Sequence, residues 1–493
     1  MYLLGYDIGS SSVKAALIDA VTGVTLQTVQ FPSHEMNIIA SQPDWAEQHP
    51  DDWWEACCMA TRQLMASTNF HAADIAAIGI AYQMHGLVML DKGGKVLRPA
   101  IIWCDSRAVG QGEKAFQMLG TQFCLEHYLN SPGNFTASKL RWVKEHEPDI
   151  FEKTQHFMLP GDYIAYRMTG EICTTIGGLS EGILWDFNAK KPASTLLDYY
   201  DIPESMLPPV VDVFSRQGEL HPKAAAALGL QPGIPVGYRA GDQPNNAFSL
   251  NVLRSGEVAA TGGTSGVVYA VSETPVYDIK QRVNSFSHVN YRPSQPFTGV
   301  LLCINGAGSA YRWLRENTGA LYTYAQMEAM AGTVAPGAEG LCILPFGNGA
   351  ERMLEHRNTG AIVSGLNFNR HNQAHLYRAA LEGIAFSFVW GVNVMRNMGI
   401  SISKMRVGGG NLFESAIFSS TISTLLNIEI EIYDTNGAAG AARAAGVAVG
   451  LYTNPEEAAG CLLNVLQKQE PQSADSPALE AAYVRWCNYL NKG

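Results

Sequence analysis

The sequence predicts an α/β protein of two related halves with a ligand held between them, on three observations. The chain has 493 residues, more than a single hydrophobic core serves, so two domains of about 250 residues each are expected. Strand-like apolar runs alternate with helix-length segments along it. A strand, a Gly-Ser/Thr turn and a second strand open the chain, and the same pattern returns at its middle. The expected division is 1–243 and 244–493.

Composition narrows the class. Hydrophobic residues make up 47% and charged residues 16%, which describes packed cores rather than a disordered chain. The formal charge is −11 and no basic run occurs, so no nucleic-acid partner is expected. An anionic nucleotide stays compatible with that charge, because local donors and a metal decide its binding. The nine cysteines are scattered without a CxxC pair and are expected to be reduced core residues in a cytoplasmic protein. Asp7 interrupts the first apolar stretch and Arg443 the Ala/Gly-rich stretch 437–450. Neither a signal peptide nor a membrane span is expected.

The opening strand leads into Tyr6-Asp7-Ile8-Gly9-Ser10-Ser11-Ser12-Val13-Lys14. Gly9 allows a sharp turn and close approach to a ligand. The serines offer hydroxyls and backbone N–H groups to phosphate oxygens. Asp7 is placed to hold a divalent cation through water, as magnesium prefers. An ordinary hairpin with a polar tip explains the stretch equally well. A third strand is expected over 24–31, a helix over 52–67 and a strand over 75–81, which runs into Gln83-Met84-His85-Gly86. Polar residues at a strand end are well placed for a ligand. His85 suits a sugar hydroxyl or ketone oxygen, although a lone histidine is more often satisfied by a backbone carbonyl. After the turn Lys92-Gly93-Gly94-Lys95, a strand over 96–103 ends at Trp103-Cys104-Asp105-Ser106-Arg107. Asp105 and Arg107 read either as polyol ligands or as a structural ion pair. Helix is expected over 111–128, and Met158-Leu159-Pro160-Gly161-Asp162-Tyr163 begins another that ends near Gly170. A later strand reaches Gly241-Asp242-Gln243. Asp242 there reads as a helix N-cap or as a general base.

The second half restarts the pattern. A strand over 257–260 leads to Thr261-Gly262-Gly263-Thr264-Ser265-Gly266 and a strand over 267–271. Two such turns, one opening each half, point to a nucleotide clamped between the halves. Asn305-Gly306-Ala307-Gly308-Ser309 precedes a helix over 310–316, and a long buried helix is expected over 375–398. A short strand over 405–407 ends in Gly408-Gly409-Gly410-Asn411. Three glycines let a flat ring lie on the backbone, as adenine or ribose would; a plain loop is the alternative. A small-residue helix begins at 437.

These residues identify a family. The chain resembles the FGGY carbohydrate kinases from about Leu3 to Gly450. The most specific block is Ala361-Ile362-Val363-Ser364-Gly365-Leu366, then eight residues, then His375-Leu376-Tyr377-Arg378-Ala379-Ala380-Leu381-Glu382. A second signature matches around Thr136–Trp142, departing at Asn134. The resemblance implies two actin-like, ribonuclease-H-like domains with a central nucleotide and sugar cleft. It implies ATP and Mg2+ as cofactors. Gly9, Ser10, Ser11, Ser12, Lys14, Gly263, Thr264 and Ser265 would serve the phosphates, and Gly408, Gly409, Gly410 and Asn411 the adenosine. Asp7 would hold magnesium, and Asp242 would be the catalytic base. Gln83, Met84, His85, Trp103, Asp105 and Gln243 would join Asp242 in holding the sugar. Family members acting on D-xylulose carry Gln-Met-His-Gly at 83–86, where those acting on glycerol carry Arg-Glu. The implied reaction is ATP-dependent phosphorylation of the terminal hydroxyl of a ketopentose. Another ketose, a polyol or a sugar acid is the alternative acceptor, and a non-catalytic actin-like ATPase or sugar sensor a remote one. A homodimer is left open. The chain departs from the family pattern at 174–182, at Gln243 and at Thr435-Asn436.

Overall fold

The computed structural model describes residues 1–67, 70–461 and 464–492. Two sheets carry the fold. The first contains β1 (Tyr2–Ile8), β2 (Val13–Asp19), β3 (Thr25–Phe31), β4 (Ile75–Tyr82) and β5 (Val236–Gly241), in the spatial order β5-β4-β1-β2-β3. β1 pairs antiparallel with β2 and parallel with β4, which pairs parallel with β5. The second contains β6 (Glu257–Gly262), β7 (Gly266–Ser272), β8 (Asn284–Ser287), β9 (Thr298–Ile304), β10 (Lys404–Gly408), β11 (Glu429–Tyr433) and β12 (Val465–Gln469). Its order is β8-β9-β7-β6-β10-β11-β12, so β9-β7-β6-β10-β11 repeats the arrangement of the first sheet. Three antiparallel strands continued on one side by two parallel ones form the actin-like unit, present twice.

The central strands are buried almost throughout, as parallel strands covered on both faces must be. In the first half, α1 (Pro50–Ala66) covers β2 and β3, and α2 (Pro160–Thr169) covers β4 and β5. In the second, α4 (Gly308–Thr318), α5 (Tyr324–Gly332), α6 (Gln373–Asn397) and α7 (Ala416–Leu426) pack around one large apolar core. Two further helices lie between the sheets. α3 (Asp242–Ser249) follows β5 directly and packs on β6 and β7 as well as on β4 and β5. α8 (Gly437–Ala448) follows β11 and packs on β1, β4 and β5 of the other half. Each half therefore sends a helix onto the opposite sheet.

Glycines make that crossing close. A Cβ on Gly5 would stand 1.9 Å from the carbonyl oxygen of Ala438, and one on Gly79 1.9 Å from that of Ala441. Gly5 and Gly79 are register partners on β1 and β4. α8 thus lies directly on a glycine-floored groove, with its alanines Ala438, Ala441 and Ala445 facing the sheet.

Three expected elements differ. The strand over 96–103 reduces to the pair Ala100–Ile101 and a single bridge at Val96. Arg98 is drawn into ion pairs with Glu47 and Glu147, and Pro99 has no N–H for a ladder. The helix over 111–128 is broken at Gly120, whose φ of 92° no helix accommodates, into Val109–Leu119 and Thr121–Tyr128. The helix expected over 310–316 begins earlier, at Gly308.

Candidate active site

The heads of α3 and α8 meet the end of β1 on the floor of a cleft. Asp7 faces Lys14 across the β1–β2 pair. Gly437, the first residue of α8, lies against it: a Cβ there would come within 2.5 Å of Asp7 Oδ2. Asp242 is the first residue of α3, with Gly241 at the N-cap position, and its carboxylate lies within hydrogen-bonding reach of Gln243. One turn on, Asn245 donates Nδ2–H to the Gly437 carbonyl at 2.9 Å and ties the two helix heads together. Burial, and after it the charge of Asp7, pushes Asp242 up to about 7. Burial also raises Asp7, with Lys14 opposing. Both carboxylates remain partly open to solvent. Groups that water reaches but does not fully hydrate lie at the bottom of a cleft.

The Gln83–Gly86 segment forms the wall beside them. The Gln83 N–H donates to the Ile8 carbonyl at 2.7 Å, so the chain continues alongside β1 beyond the strand end. Met84 packs on Gly241, where a Cβ would meet its Cγ at 2.6 Å. His85 sits in the left-handed region, φ 62°, with its ring 4.9 Å from that of Phe135 and 5.2 Å from that of Phe286 on β8. Its Nδ1 lies 2.9 Å from the Glu181 carbonyl oxygen. That oxygen only accepts, so Nδ1 carries the proton, and Nε2 of the neutral ring is an acceptor suited to a hydroxyl. Burial, and after it Lys139, drops His85 to about 3, which keeps the ring neutral. Lys139 is itself buried, lowered to about 7, and donates to the carbonyls of His85 and Ile102 at 2.8 and 2.9 Å.

The other sugar-side residues divide. Gln83 is buried with Oε1 unpartnered, which leaves an acceptor in reserve. Trp103 is 53% exposed, and its Nε1 reaches Ser10 Oγ at 3.3 Å, joining this wall to the first Gly-Ser turn. Asp105 is fully buried and accepts from the Ala46 N–H at 2.6 Å and the Arg107 guanidinium at 2.7 Å. Of the two readings of that pair, the geometry is that of the ion pair, and the carboxylate offers nothing to the cleft. Gln243 is half-buried next to Asp242.

The first turn is closed by the Gly9 N–H donating to the Ser12 carbonyl at 3.0 Å, with Ser11 exposed at its tip. The second turn rests on the head of α4: the Gly308 and Ser309 N–H groups donate to the carbonyls of Gly263 and Thr264, both at 3.0 Å. Beside it opens a cavity of about 610 Å³, within the range of small-molecule sites. Gly263, Thr264, Gly410 and Asn411 line it, as do Gly308, Ser309, Tyr311, Arg312, Tyr324, Glu328 and Glu414. Ser265, Gly408, Gly409, Lys14 and the 9–12 turn stand outside this wall. Asn411 is engaged in its own loop, accepting from Phe413 N–H and donating to the Gly408 carbonyl. Glu328 accepts from Ser415 Oγ and Ile417 N–H, and Glu414 from Gly410 N–H; each carboxylate is held by donors of the cavity wall.

Several of these residues were not singled out in the sequence. The glycine turn before α4 was visible without its role. Asn245, Gly437 and Glu181 gave no signal, because each matters only through a neighbour distant in the chain. Glu181 is buried against Gly241 beside the Tyr82 hydroxyl, and burial raises it well above the usual range.

Two linked actin-like units with a carboxylate pair between them and a glycine-walled cavity beside the second turn fit a kinase that acts on a small hydroxylated acceptor. Residues 2–249 match the N-terminal domain of the FGGY family of carbohydrate kinases and residues 258–449 its C-terminal domain, and the chain belongs to that family. It is 30% identical to the xylulose kinase of Bacillus subtilis (strain 168), over 93% of this chain and 90% of that one. It is 31% identical to that of Klebsiella pneumoniae, over 91% and 90%. The xylulose kinase from Rhodospirillum rubrum shares the fold, with a TM-score of 0.88 at 24% identity over 100% of this chain and 99% of that one. Among the described residues no helix is long and apolar enough to cross a membrane.

Proposed function

We propose that this kinase transfers the γ-phosphoryl group of ATP to the terminal hydroxyl of D-xylulose, with Asp242 as general base. The observation that carries the reading is Asp242 itself. It stands at a helix head on the cleft floor, within hydrogen-bonding reach of Gln243, and is held at about 7 by burial and by Asp7. A base poised near neutrality is what proton removal from an alcohol requires. The sugar oxygen bonds to the γ-phosphorus, the bond from that phosphorus to the β,γ-bridging oxygen breaks, the hydroxyl proton passes to Asp242, and ADP leaves.

Such a transfer needs positioning and charge neutralisation more than covalent help. Nε2 of His85 accepts from a sugar hydroxyl, Gln83 Oε1 and Gln243 lie within the same wall, and Met84 and Trp103 close it. The 9–12 and 263–265 turns present N–H groups and hydroxyls to the phosphates, with Lys14 beside the first. Gly408–Asn411 shapes the nucleoside end. Asp7 fits a magnesium ion held through water: its carboxylate is partly open to solvent at the end of β1, beside the first turn, and magnesium keeps several waters and takes phosphate oxygens besides one or two carboxylates. When bound, magnesium supplies charge neutralisation on the phosphates. The division we propose, 1–243 for the sugar side and 244–493 for the nucleotide side, falls at the head of α3, where the two sides meet.

The relatives acting on xylulose and the Gln83–Gly86 segment favour D-xylulose over another ketose, a polyol or a sugar acid. Initial rates with ATP and magnesium against D-xylulose, L-xylulose, D-ribulose, glycerol and gluconate test this. D-xylulose should give the highest kcat/KM; a higher value for any other acceptor overturns the assignment, and ATP hydrolysis indifferent to all five overturns the kinase reading.

A further inference from the structure

Arg352 occupies a single helical turn, Arg352–Leu354, packed on the end of β9. Its predecessor, Glu351, is fully buried and takes the Asn305 N–H between its carboxylate oxygens, at 3.0 and 3.1 Å. The Glu351 N–H in turn donates to the Arg357 carbonyl at 3.1 Å. Both ends of the turn are therefore anchored. The Arg352 guanidinium is half-buried, yet makes no hydrogen bond or ion pair with any described residue. Three more deeply buried arginines each have a carboxylate partner: Arg107 has Asp105, Arg239 has Asp162 and Arg378 has Glu382. The nitrogens of Arg352 keep contact with water and carry no anion, so they are available as donors to a ligand.

Its surroundings show where it stands. Glu351 holds the N–H of Asn305, the residue that follows β9, and Ile304 at the end of β9 pairs with Gly266 of the second Gly-Thr turn, so the Arg352 turn stands beside that turn. Cys303, the one exposed position of β9, pairs with Val267 just beyond it. Of the other basic groups of the site, His85 is neutral, Lys139 donates to two backbone carbonyls, and Lys14 stands at the first turn, on the opposite half. If Asp242 receives the hydroxyl proton, the anion that must stand beside it is the phosphoryl group in transfer.

We infer that Arg352 binds the oxygens of the phosphoryl group as it moves from ATP to the sugar, holding it from the second half of the protein while Asp242 acts from the first. This rests on the acceptor and base assignments above. It makes Arg352 a ligand for the transferred group rather than for ADP or for the unphosphorylated sugar.

The full-length protein and its Arg352→Gln and Arg352→Lys variants are the test. Arg352→Gln should lower kcat about 100-fold, the scale of losing one charge-stabilising donor. The KM for D-xylulose and the Kd for ADP should move less than threefold. The affinity for D-xylulose 5-phosphate, read by calorimetry, should fall at least tenfold, and Arg352→Lys should recover part of both losses. An unchanged kcat, or equal weakening of D-xylulose and its 5-phosphate, overturns the inference. The unmodified protein gives an independent reading: raising salt should weaken D-xylulose 5-phosphate binding but not D-xylulose binding, and equal sensitivity also overturns it. Failure of the base assignment shows separately, as normal turnover in Asp242→Asn, and failure of the acceptor assignment as preference for another sugar. In that case the same titrations with that sugar and its phosphate test Arg352 alone.

Discussion

Asp242 combines two demands that a carboxylate does not ordinarily meet together: enough exposure to reach a substrate, and enough burial to hold a proton near neutrality. Its position at the head of α3 satisfies the first, and the protein around it together with Asp7 satisfies the second. A base works when deprotonated, so kcat/KM should fall as pH drops through about 7. Asp242→Asn should cost about two to four decades in kcat while leaving the Kd for ADP unchanged. A pH profile flat from 5 to 8 in the wild type, or near-normal turnover in the variant, would refute the role. The same residue has a stability signature. Its folded value lies above the ordinary 3.8, so the native state holds the proton more tightly than the unfolded chain. Stability is then lost as pH rises from about 4 to 7. Asp242→Asn should therefore raise Tm at pH 8, with the gain vanishing below about pH 4. Legibility at this scale was uneven. Asp242 and His85 stood out as polar residues at strand ends. Asp105 looked equally promising, and is instead committed to Arg107 and Ala46. Two residues apart in the chain, Asp105 and Arg107 fit either use, and only their burial distinguishes them.

At the scale of elements, the phosphate-type turns show how backbone geometry sets a site. The β6–β7 turn does not stand alone; it leans on the head of α4, where a Cβ at position 308 would meet the Gly263 carbonyl oxygen at 2.3 Å. Gly308→Ala should displace that turn and raise the KM for ATP about tenfold, roughly 1.4 kcal/mol, with little change in the KM for sugar. An unaltered KM for ATP in a folded variant would detach this turn from nucleotide binding. The two hairpins were legible because strand, glycine and hydroxyl residues recur locally. The strand over 96–103 was misread for a physical reason: its apolar residues are buried, but Arg98 follows two glutamates instead of a ladder. The helix over 111–128 was read through Gly120 because periodicity does not register a positive φ at one residue.

At the scale of the whole molecule, α3 and α8 are what couple the halves. They touch where Gly440 meets Ser249, and Arg443 on α8 donates to the Ser249 carbonyl at 2.8 Å. The last residue of α3 thus lies on the first turns of α8, while their heads are joined by Asn245 and Gly437. Gly79→Ala would drive a methyl group to 1.9 Å from the Ala441 carbonyl oxygen. It should destabilise the protein by about 3 kcal/mol or more, the upper range for overpacking a rigid contact, measured by urea unfolding. It should also lower kcat, because α8 carries Gly437 against Asp7. Wild-type stability in that variant would mean that the helix does not rest on the glycines.

By itself the sequence determined the class of fold, the repeated hairpin and the residue types of an ATP-dependent sugar kinase. Those depend on local periodicity, on glycine and hydroxyl turns and on short motifs, all carried by neighbours in the chain. Only the tertiary structure decided which carboxylate is free and which is paired, which helix lies on which sheet, and which arginine faces the cleft without an anion. Burial and partnership are set by residues hundreds of positions apart, as Asn245 and Gly437 are, and no local pattern encodes them.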